Sequence, residues 1–367
     1  MGAAENMKRR ARAGLLAAWI GLAPLVISAL GLACGQTATE PTQPSATAPP
    51  SSPPPVASAT PPPPSPTPPV PPGPDPSQPT PVHVVLFTHI EDNTPAGPLD
   101  APQARTSYLN LRARLIAMGE LARRLAVPWS LEPDWKFLLA AQSFEDADRM
   151  ASTGGVNVLR HLRDTLGVII DPHSHESGGY NYTDVAHLLS SLGVGGSTVI
   201  GGHIWDPALP QFQQWDRFRA PVSGLRYPTA TWRGDILMGS GTPNHVNDPV
   251  VSGVWRPRDR DNYFEDDPLG NIACVGAFTH DLAGVSDLVE RYRTGEVASS
   301  CMLTTSYHIR PADLLAPSGL ASIESTVLQP LVTLRGSGKI ALTDFTGLVS
   351  TWKQRFGAKA CQYMPKK

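Results

Sequence analysis

The stretch VHVVLFT (Val82–Thr88), followed directly by HIEDN (His89–Asn93), is the part of the sequence that decides the fold. Its first seven residues are mostly apolar or β-branched and of strand length, which predicts a buried strand. Later apolar runs of the same kind alternate with segments whose apolar residues recur every three or four positions, the spacing of an amphipathic helix. This alternation predicts an α/β fold with a mainly parallel sheet, either open or closed as a barrel.

The predicted elements extend from Val82 to Phe356. The predicted strands are Val82–Thr88, Trp129–Leu131, Val168–Ile170, Ser197–Ile200, Cys301–Thr305 and Lys339–Leu342. The predicted helices are Tyr108–Leu125, Trp135–Gln142, Val156–Leu166, Asp184–Leu192, Ala283–Arg293, Leu320–Leu334 and Thr346–Phe356. Between Trp205 and Asp267 the chain is rich in Pro, Gly, Trp and Arg, and regular structure is not assigned there. Polar residues just past the C-terminal ends of strands are the first candidates for chemistry in such folds.

A basic segment, KRRAR (residues 8–12), precedes an uncharged apolar run from Ala13 to Ala33. This pattern predicts a secretory signal, with a retained signal anchor as the alternative. The run ends in LGLACG (Leu30–Gly35), which resembles the bacterial lipoprotein box and implies lipidation of Cys34; an ordinary cleavage site is the alternative. We therefore predict export across the inner membrane and attachment to the cell envelope by lipid only. The outer membrane is preferred, because Gly35 is not the Asp that retains some lipoproteins in the inner membrane.

The segment from Pro41 to Pro81 contains 20 of the 39 prolines, no Lys or Arg and a single acidic residue. Such a composition cannot bury a core, so we predict a disordered linker. The resulting domain boundaries are a signal peptide at 1–33, a Pro-rich linker at 34–81 and one folded domain at 82–367.

Charge and cysteine content exclude two classes of function. Lys and Arg number 30 against 32 acidic residues, a formal net charge of −2, which does not fit a general nucleic-acid binder. Besides Cys34, the three cysteines Cys274, Cys301 and Cys361 permit at most one disulfide bond, and its pairing stays open. No Cys-x-x-Cys pair is present, which argues against a thiolate zinc site.

Three polar clusters follow predicted strands. In the first, HIED (His89–Asp92), adjacent carboxylates can divide their roles between metal binding and proton transfer, or the segment is simply a polar loop. In the second, DPHSHES (Asp171–Ser177), two histidines separated by one residue suit a divalent cation. In the third, TTSYH (Thr304–His308), the histidine is either a general acid or base or a hydrogen-bonded structural residue.

The order and spacing of these clusters resemble the polysaccharide deacetylase superfamily, the NodB-homology carbohydrate esterases. The resemblance covers most of Val82–Phe356 and implies a distorted (β/α)7-type barrel. It gives Glu91 the role of catalytic base, Asp92 that of a metal ligand and His308 that of general acid.

The second motif of that family departs from its pattern in this chain. His173 matches the first metal histidine, but the second would fall at Ser177. The resemblance therefore implies either that His175 replaces it from a shifted loop or that the site uses fewer protein ligands.

Four further residues are predicted to contact substrate. Arg219 lies in RAP (residues 219–221), which is similar to the Arg-x-Pro motif of the family. His203 and Trp205 follow the predicted strand Ser197–Ile200, and Tyr180 follows the histidine pair. The alternative is a turn for His203, a packed core position for Trp205 and the start of the next helix for Tyr180.

The clusters and the resemblance together predict a metal-dependent hydrolase, a carbohydrate deacetylase acting on an N- or O-acetylated polysaccharide of the cell envelope or of the extracellular space. The expected cofactor is Zn²⁺, with Co²⁺ or Ni²⁺ as alternatives, and the expected partner is a polysaccharide or oligosaccharide. One alternative is a non-catalytic carbohydrate-binding lipoprotein, which the serine at position 177 makes credible. The other is a metal-dependent amidohydrolase or phosphoesterase, in which the histidine pair usually follows the first strand.

Overall fold

The computed structural model describes residues 80–203, 210–238 and 250–365. All of them belong to one compact unit. The predicted signal peptide, Cys34, Trp205 and all of the predicted linker before residue 80 lie outside the described residues. Within the described ranges, none of the helices has the length and apolar character needed to cross a membrane.

The described residues contain eleven strands and ten α-helices. The strands are β1 (Val82–Ile90), β2 (Ser130–Pro133), β3 (Ile169–Ile170), β4 (Val199–Ile200), β5 (Val222–Ser223), β6 (Thr231–Trp232), β7 (Ile236–Met238), β8 (Ser252–Trp255), β9 (Ala273–Ala277), β10 (Thr304–His308) and β11 (Ile340–Thr343). The helices are α1 (Pro102–Arg124), α2 (Trp135–Phe144), α3 (Ala147–Ala151), α4 (Val158–Arg160), α5 (Tyr182–Ser191), α6 (Leu282–Arg293), α7 (Pro311–Leu315), α8 (Gly319–Ile323), α9 (Gln329–Gly336) and α10 (Phe345–Arg355). A 3₁₀ segment covers Pro210–Arg219, and π-helical turns cover His161–Thr165 and Glu324–Leu328.

The main sheet has the strand order β10-β1-β2-β3, with every neighbouring pair parallel. Strand β11 pairs with the first half of β1, and β2 pairs with its second half. Phe87 lies opposite both His308 and Ser130. Because the strands run in the same direction, their C-terminal ends, where the polar clusters begin, meet at one edge.

A second sheet has the order β4-β7-β9-β8, in which only β8 is antiparallel. A single parallel bridge between His173 and Gly201 links the ends of β3 and β4. Side-chain bonds connect β10 to this sheet, since the Thr304 hydroxyl donates to Gly276 at 2.7 Å and accepts from the Gly253 amide at 2.8 Å. The predicted α/β class with parallel sheet is confirmed, but no closure into a barrel is seen among the described strands.

Strand β1 is buried on both faces, which explains why its sequence is a continuous apolar run rather than an alternating one. Val84, Leu86 and Ile90 belong to the core that packs against the helices. Val85 and Phe87, on the opposite face, belong to a separate core shared with the second sheet. Side chains that continue the second face beyond Phe87 therefore point towards the same interior.

Most predicted elements are present, and the differences concern short elements, among them helices α3 and α7 and strands β5 and β6, which were not predicted. The third polar cluster, Thr304–His308, was expected at the end of a strand Cys301–Thr305 but is itself the strand β10, with His308 as its final residue. Strands β7, β8 and β9 were not predicted; β9, with the sequence ACVGA, contains small residues that carry little strand signal. Cys301 and Cys361 form a disulfide bond with a Cα–Cα distance of 5.3 Å. Cys274 is buried, with its sulfur 3.2 Å from the Tyr263 hydroxyl.

A buried ion pair joins α1 to the segment after α2. Arg112 donates from Nε to Glu145 Oε1 at 2.6 Å and from Nη2 to Glu145 Oε2 at 3.2 Å. Arg112 also donates to Thr153 Oγ1, and Glu145 accepts from the Tyr108 hydroxyl and the Val158 amide. Each group of this network has partners, so the pair is a structural element of the domain.

Candidate metal centre

Polar side chains from four elements meet at the edge formed by the strand ends. Strand β1 carries His89 and is followed by Glu91, and β2 carries Glu132. The loop after β3 carries His173 and His175, and β10 ends with His308. The parallel topology thus brings together residues that are up to 219 positions apart in the chain (89 to 308).

Glu91 lies at the centre of this group. Its Oε2 is 3.4 Å from His173 Nε2 and 3.1 Å from His175 Nε2. Ligand atoms held ~2.0–2.1 Å from one tetrahedral zinc ion lie ~3.3–3.4 Å apart. The two distances from Glu91 are close to this spacing, and the ligand atoms of all three side chains lie within 4.8 Å of one another, so they form a group that could bind a metal ion.

The burial of these groups supports a cation site. His173 and Glu132 are fully buried, yet neither ring nitrogen of His173 and neither oxygen of Glu132 has a hydrogen-bond partner among the described residues. Buried polar groups without partners are rare, because each costs free energy comparable to a lost hydrogen bond. A bound cation would satisfy His173 directly.

Glu132 lies behind His173, on the side away from Glu91. Its Oε2 is 3.7 Å from His173 Nδ1, and the two residues form a second three-residue group with His89. A carboxylate that faces the second nitrogen of a metal-binding histidine fixes the orientation of the ring in many metal sites. We interpret Glu132 as a residue that positions His173.

Two glycines make room for this arrangement. A Cβ atom on Gly202 would lie 2.5 Å from the His173 ring, and Gly202 has a φ of +77°, which disfavours other residues. A Cβ atom on Gly201 would lie 2.8 Å from Glu132 Oε2. Both positions therefore require glycine while His173 and Glu132 stay in place.

The charges of the central residues depend on one another. Burial disfavours ionisation of Glu91, but contacts with His173 and His175 outweigh it and lower the Glu91 pKa. Burial likewise disfavours the cationic form of His173, but Glu132 and Glu91 raise the pKa of this histidine to about 10. Burial raises the Glu132 pKa, with His173 opposing the shift. The carboxylates on either side of His173 therefore favour a positive charge between them.

His308 and His89 are neutral at pH 7. Burial, followed by the neighbouring His173, lowers the pKa of His308 to about 4, and burial lowers the His89 pKa well below its usual range. The two rings lie side by side with centroids 3.9 Å apart, and His308 stacks on Phe87 at 4.9 Å. A neutral imidazole at the edge of a cation site can accept a proton.

Asp92 lies outside both three-residue groups, although it was predicted to be a ligand. Its Oδ2 accepts a hydrogen bond from the Ser177 hydroxyl. Side chains of an extended chain alternate between its faces, so Glu91 continues the face of Phe87 and His89 while Asp92 points elsewhere. Glu91, predicted to be the base, takes the place beside His173 and His175 that was expected for Asp92.

The predicted substrate-binding residues that the structure describes lie outside both three-residue groups. Arg219 donates to the carbonyls of Pro257 and Arg258 at 2.7 and 2.8 Å, which indicates a structural role. The Tyr180 ring stacks on Trp135 with centroids 4.7 Å apart. His203 is buried, with its ring centroid 6.3 Å from that of Tyr263.

Sequence reasoning missed Glu132 and Asp134. Both lie in SLEPD (Ser130–Asp134), at the end of a predicted strand, so the rule applied to the three other clusters would have found them. Burial raises the Asp134 pKa to about 6, against the effect of His173. Its carboxylate also caps α2 by accepting from the Trp135 amide at 2.5 Å.

No protein-family model matches this chain, and a search of curated proteins finds no match. Its function therefore has to be inferred from the arrangement of its side chains.

Proposed function

We propose that this protein is a metal-dependent hydrolase that removes acetyl groups from an N- or O-acetylated polysaccharide of the cell envelope or the extracellular space. The observation that carries the proposal is the Glu91–His173–His175 group, in which three ligand atoms from two strand ends have the spacing of one cation's coordination sphere. The order of the motifs supports a divergent member of the polysaccharide deacetylase superfamily.

The strand order supports a distorted barrel as the finer description of the fold. Parallel pairing links the strands in two runs, β10-β1-β2-β3, with β11 also parallel to β1, and β4-β7-β9. The His173–Gly201 bridge joins these runs at one end, and the hydroxyl of Thr304 joins them at the other. In such barrels the active site lies at the C-terminal ends of the strands.

We propose Zn²⁺ as the cation, because two imidazoles and one carboxylate form a common ligand set of catalytic zinc; Co²⁺ and Ni²⁺ are the alternatives. Glu91, His173 and His175 would hold it, and Glu132 would orient His173. A divalent cation bound there supplies Lewis acidity, which lowers the pKa of a water molecule and polarises the acyl carbonyl.

His308 carries the proton transfer in this proposal. Burial and the neighbouring His173 lower its pKa to about 4, so it is neutral at pH 7 and is a weak base that takes up a proton only as the water oxygen bonds to the acyl carbon. It then returns this proton to the leaving nitrogen or oxygen while the acyl bond breaks, and acetate is released. The sequence predicted a division of labour between Glu91 as base and His308 as acid, but Glu91 lies among the proposed ligand atoms, so the proposal gives both steps to His308.

The lipid anchor at Cys34 and the Pro-rich linker complete the proposal. A semi-rigid proline-rich spacer extends ~3.1 Å per residue, which would let an anchored enzyme reach a polymer away from its own membrane. The proposed location is the cell envelope, with the outer membrane preferred.

The test measures acetate release from acetylated oligosaccharides with and without a chelator. We expect release by the wild type, its loss on chelation, and no release by Glu91→Gln, which removes the central carboxylate. Glu120→Gln is the matched control, since Glu120 is exposed on α1.

Equal release in all samples would exclude a reaction that depends on a metal and on Glu91. A wild-type protein that binds both a cation and the oligosaccharide but releases no acetate would favour a non-catalytic binding protein instead.

A further inference from the structure

Next to Glu91, His173 and His175, called the cation group below, three residues are joined by hydrogen bonds. The Ser177 hydroxyl donates to Asp92 Oδ2, and the indole N–H of Trp135 donates to Ser177 Oγ at 3.3 Å. They come from three different elements, because Asp92 follows β1, Ser177 lies in the loop after β3 and Trp135 begins α2. The chain of hydrogen bonds therefore ties together the loops that follow two strands.

The backbone of the loop after β3 depends on this attachment. Glu176, Gly178 and Gly179 all have positive φ, at 54°, 61° and 76°, so the loop turns sharply just after His175. A Cβ atom on Gly178 would lie 2.5 Å from the Trp135 ring, and the Tyr180 ring stacks nearly parallel on the same indole. The loop is thus held against Trp135 by close contacts on both sides of Gly179.

The position of this bond links it to the cation group. Asp92 directly follows Glu91, and Ser177 lies two residues after His175. Glu91 Oε2 and His175 Nε2 are 3.1 Å apart, so the bond between Asp92 and Ser177 closes a small ring of residues that contains both ligand atoms. That bond therefore restrains the separation of these two side chains.

We propose that Asp92 and Ser177, supported by Trp135, form a clamp that sets the distance between Glu91 and His175 and are not themselves ligands. The two positions at which the family resemblance expects an aspartate ligand and a second histidine ligand are thus occupied by residues that bind each other. The inference rests on the cation site of the proposed function, but not on the hydrolysis of any substrate.

The test measures Zn²⁺ and Co²⁺ affinity by calorimetry in the absence of substrate. The side-chain amide introduced by Asp92→Asn still offers an oxygen to Ser177, so affinity is expected to stay within about threefold of wild type, although a ligand carboxylate would have been lost. Asp92→Ala and Ser177→Ala break the clamp and are each expected to weaken binding about 10–100-fold, the effect typical of residues that position metal ligands. The double variant Asp92→Ala/Ser177→Ala is expected to lose no more than either single variant.

Two further variants complete the design. Trp135→Phe keeps the stacked ring but removes the indole N–H, and a loss smaller than that of Ser177→Ala is expected. Glu91→Gln is expected to abolish binding, and the visible absorption of the Co²⁺ form reports whether the ligand set of Asp92→Asn is unchanged.

Loss of affinity in Asp92→Asn as large as in Asp92→Ala, with little effect of Ser177→Ala, would overturn the clamp and make Asp92 a ligand. Additive losses in the double variant would also contradict it. If the variants show the expected metal affinities but the wild type releases no acetate, the proposed hydrolase activity would be wrong and the clamp would still be supported.

Discussion

Two buried charged clusters in this domain differ in how their polar atoms are satisfied. In the pair of Arg112 and Glu145, whose side chains are 9% and 3% exposed, both carboxylate oxygens and the guanidinium have hydrogen-bond partners. At the candidate metal centre, His173 and Glu132 are fully buried and have no side-chain hydrogen bonds within the described ranges. Breaking the first cluster would leave a buried charge without its partner, whereas the second has buried polar atoms with which a cation could interact.

The largest effect is expected from breaking the satisfied cluster. Glu145→Ala leaves the Arg112 guanidinium buried without its partner, which typically costs about 3–5 kcal/mol of unfolding free energy. Denaturant unfolding of the metal-free protein measures this loss. Glu120→Ala, on the exposed face of α1, is the control and is expected to change stability by less than about 0.5 kcal/mol. A cost for Glu145→Ala that is as small would show that the network is not structural.

The unsatisfied cluster is expected to gain stability from a cation. At a Zn²⁺ concentration about a thousandfold above Kd, a ligand that binds only the folded state adds about 4 kcal/mol. Unfolding with and without Zn²⁺ measures the gain, which Glu120→Gln is expected to keep and Glu91→Gln to lose. An equal gain in Glu91→Gln would place the cation elsewhere in the molecule.

A third buried group, the imidazole of His83, shows how burial acts on a histidine pKa when no carboxylate partner opposes it. Burial, followed by Arg355, lowers the pKa of His83 to about 4 from 6.5, whereas the carboxylates beside the equally buried His173 raise its pKa. Between these pH values His83 binds a proton in the unfolded protein but not in the folded one. The contribution of neutral His83 to the free energy of unfolding is therefore complete above pH 6.5 and is lost as the pH falls towards 4. At about 1.4 kcal/mol per pH unit the loss reaches at most about 3 kcal/mol.

Metal-free unfolding between about pH 4 and pH 7 tests the role of His83. The variant His83→Leu is expected to show a shallower loss of stability towards acid than the wild type. An identical pH dependence in both proteins would mean that folding does not lower the His83 pKa.

The smallest effect is expected from the residue behind the metal ligand. Glu132→Gln keeps the shape of the side chain but weakens the orientation of His173, so Zn²⁺ affinity should fall about 10–100-fold, or about 1.4–2.7 kcal/mol. Titration with Zn²⁺ measures the change, and Glu145→Ala should leave the affinity unaltered. Unchanged affinity in Glu132→Gln would limit the role of this residue to filling space.

The sequence predicted the fold class and the region of the candidate site because both depend on local patterns. A run that is apolar at nearly every position identifies a strand buried on two faces, and the histidine pair of Asp171–Ser177 follows such a strand. Glu132 likewise lies at the end of a predicted strand, so the same pattern identifies it. Which carboxylate faces the histidines could also have been predicted, since counting alternate residues from Phe87 places Glu91, and not Asp92, on the interior face.

Other features depend on distant parts of the chain and leave no local pattern. The pairing of Cys301 with Cys361 requires the path of the C-terminal segment, where Cys361 donates its amide to the Val254 carbonyl in β8. The clamp between Asp92 and Ser177 depends on a loop whose turns follow from its contacts with Trp135. Strand β9 is short and rich in small residues, so its position is determined by its neighbours in the sheet.

Gly201 and Gly202 have a consequence for how the site would be found by mutagenesis. A survey that replaces only reactive side chains with alanine would pass over both positions, because neither has a side chain to remove. Yet a single added methyl group at Gly202 would collide with the His173 ring and displace a ligand as effectively as deleting one. Gly201 and Gly202 are therefore needed because they lack a side chain, which leaves the space that Glu132 and His173 occupy.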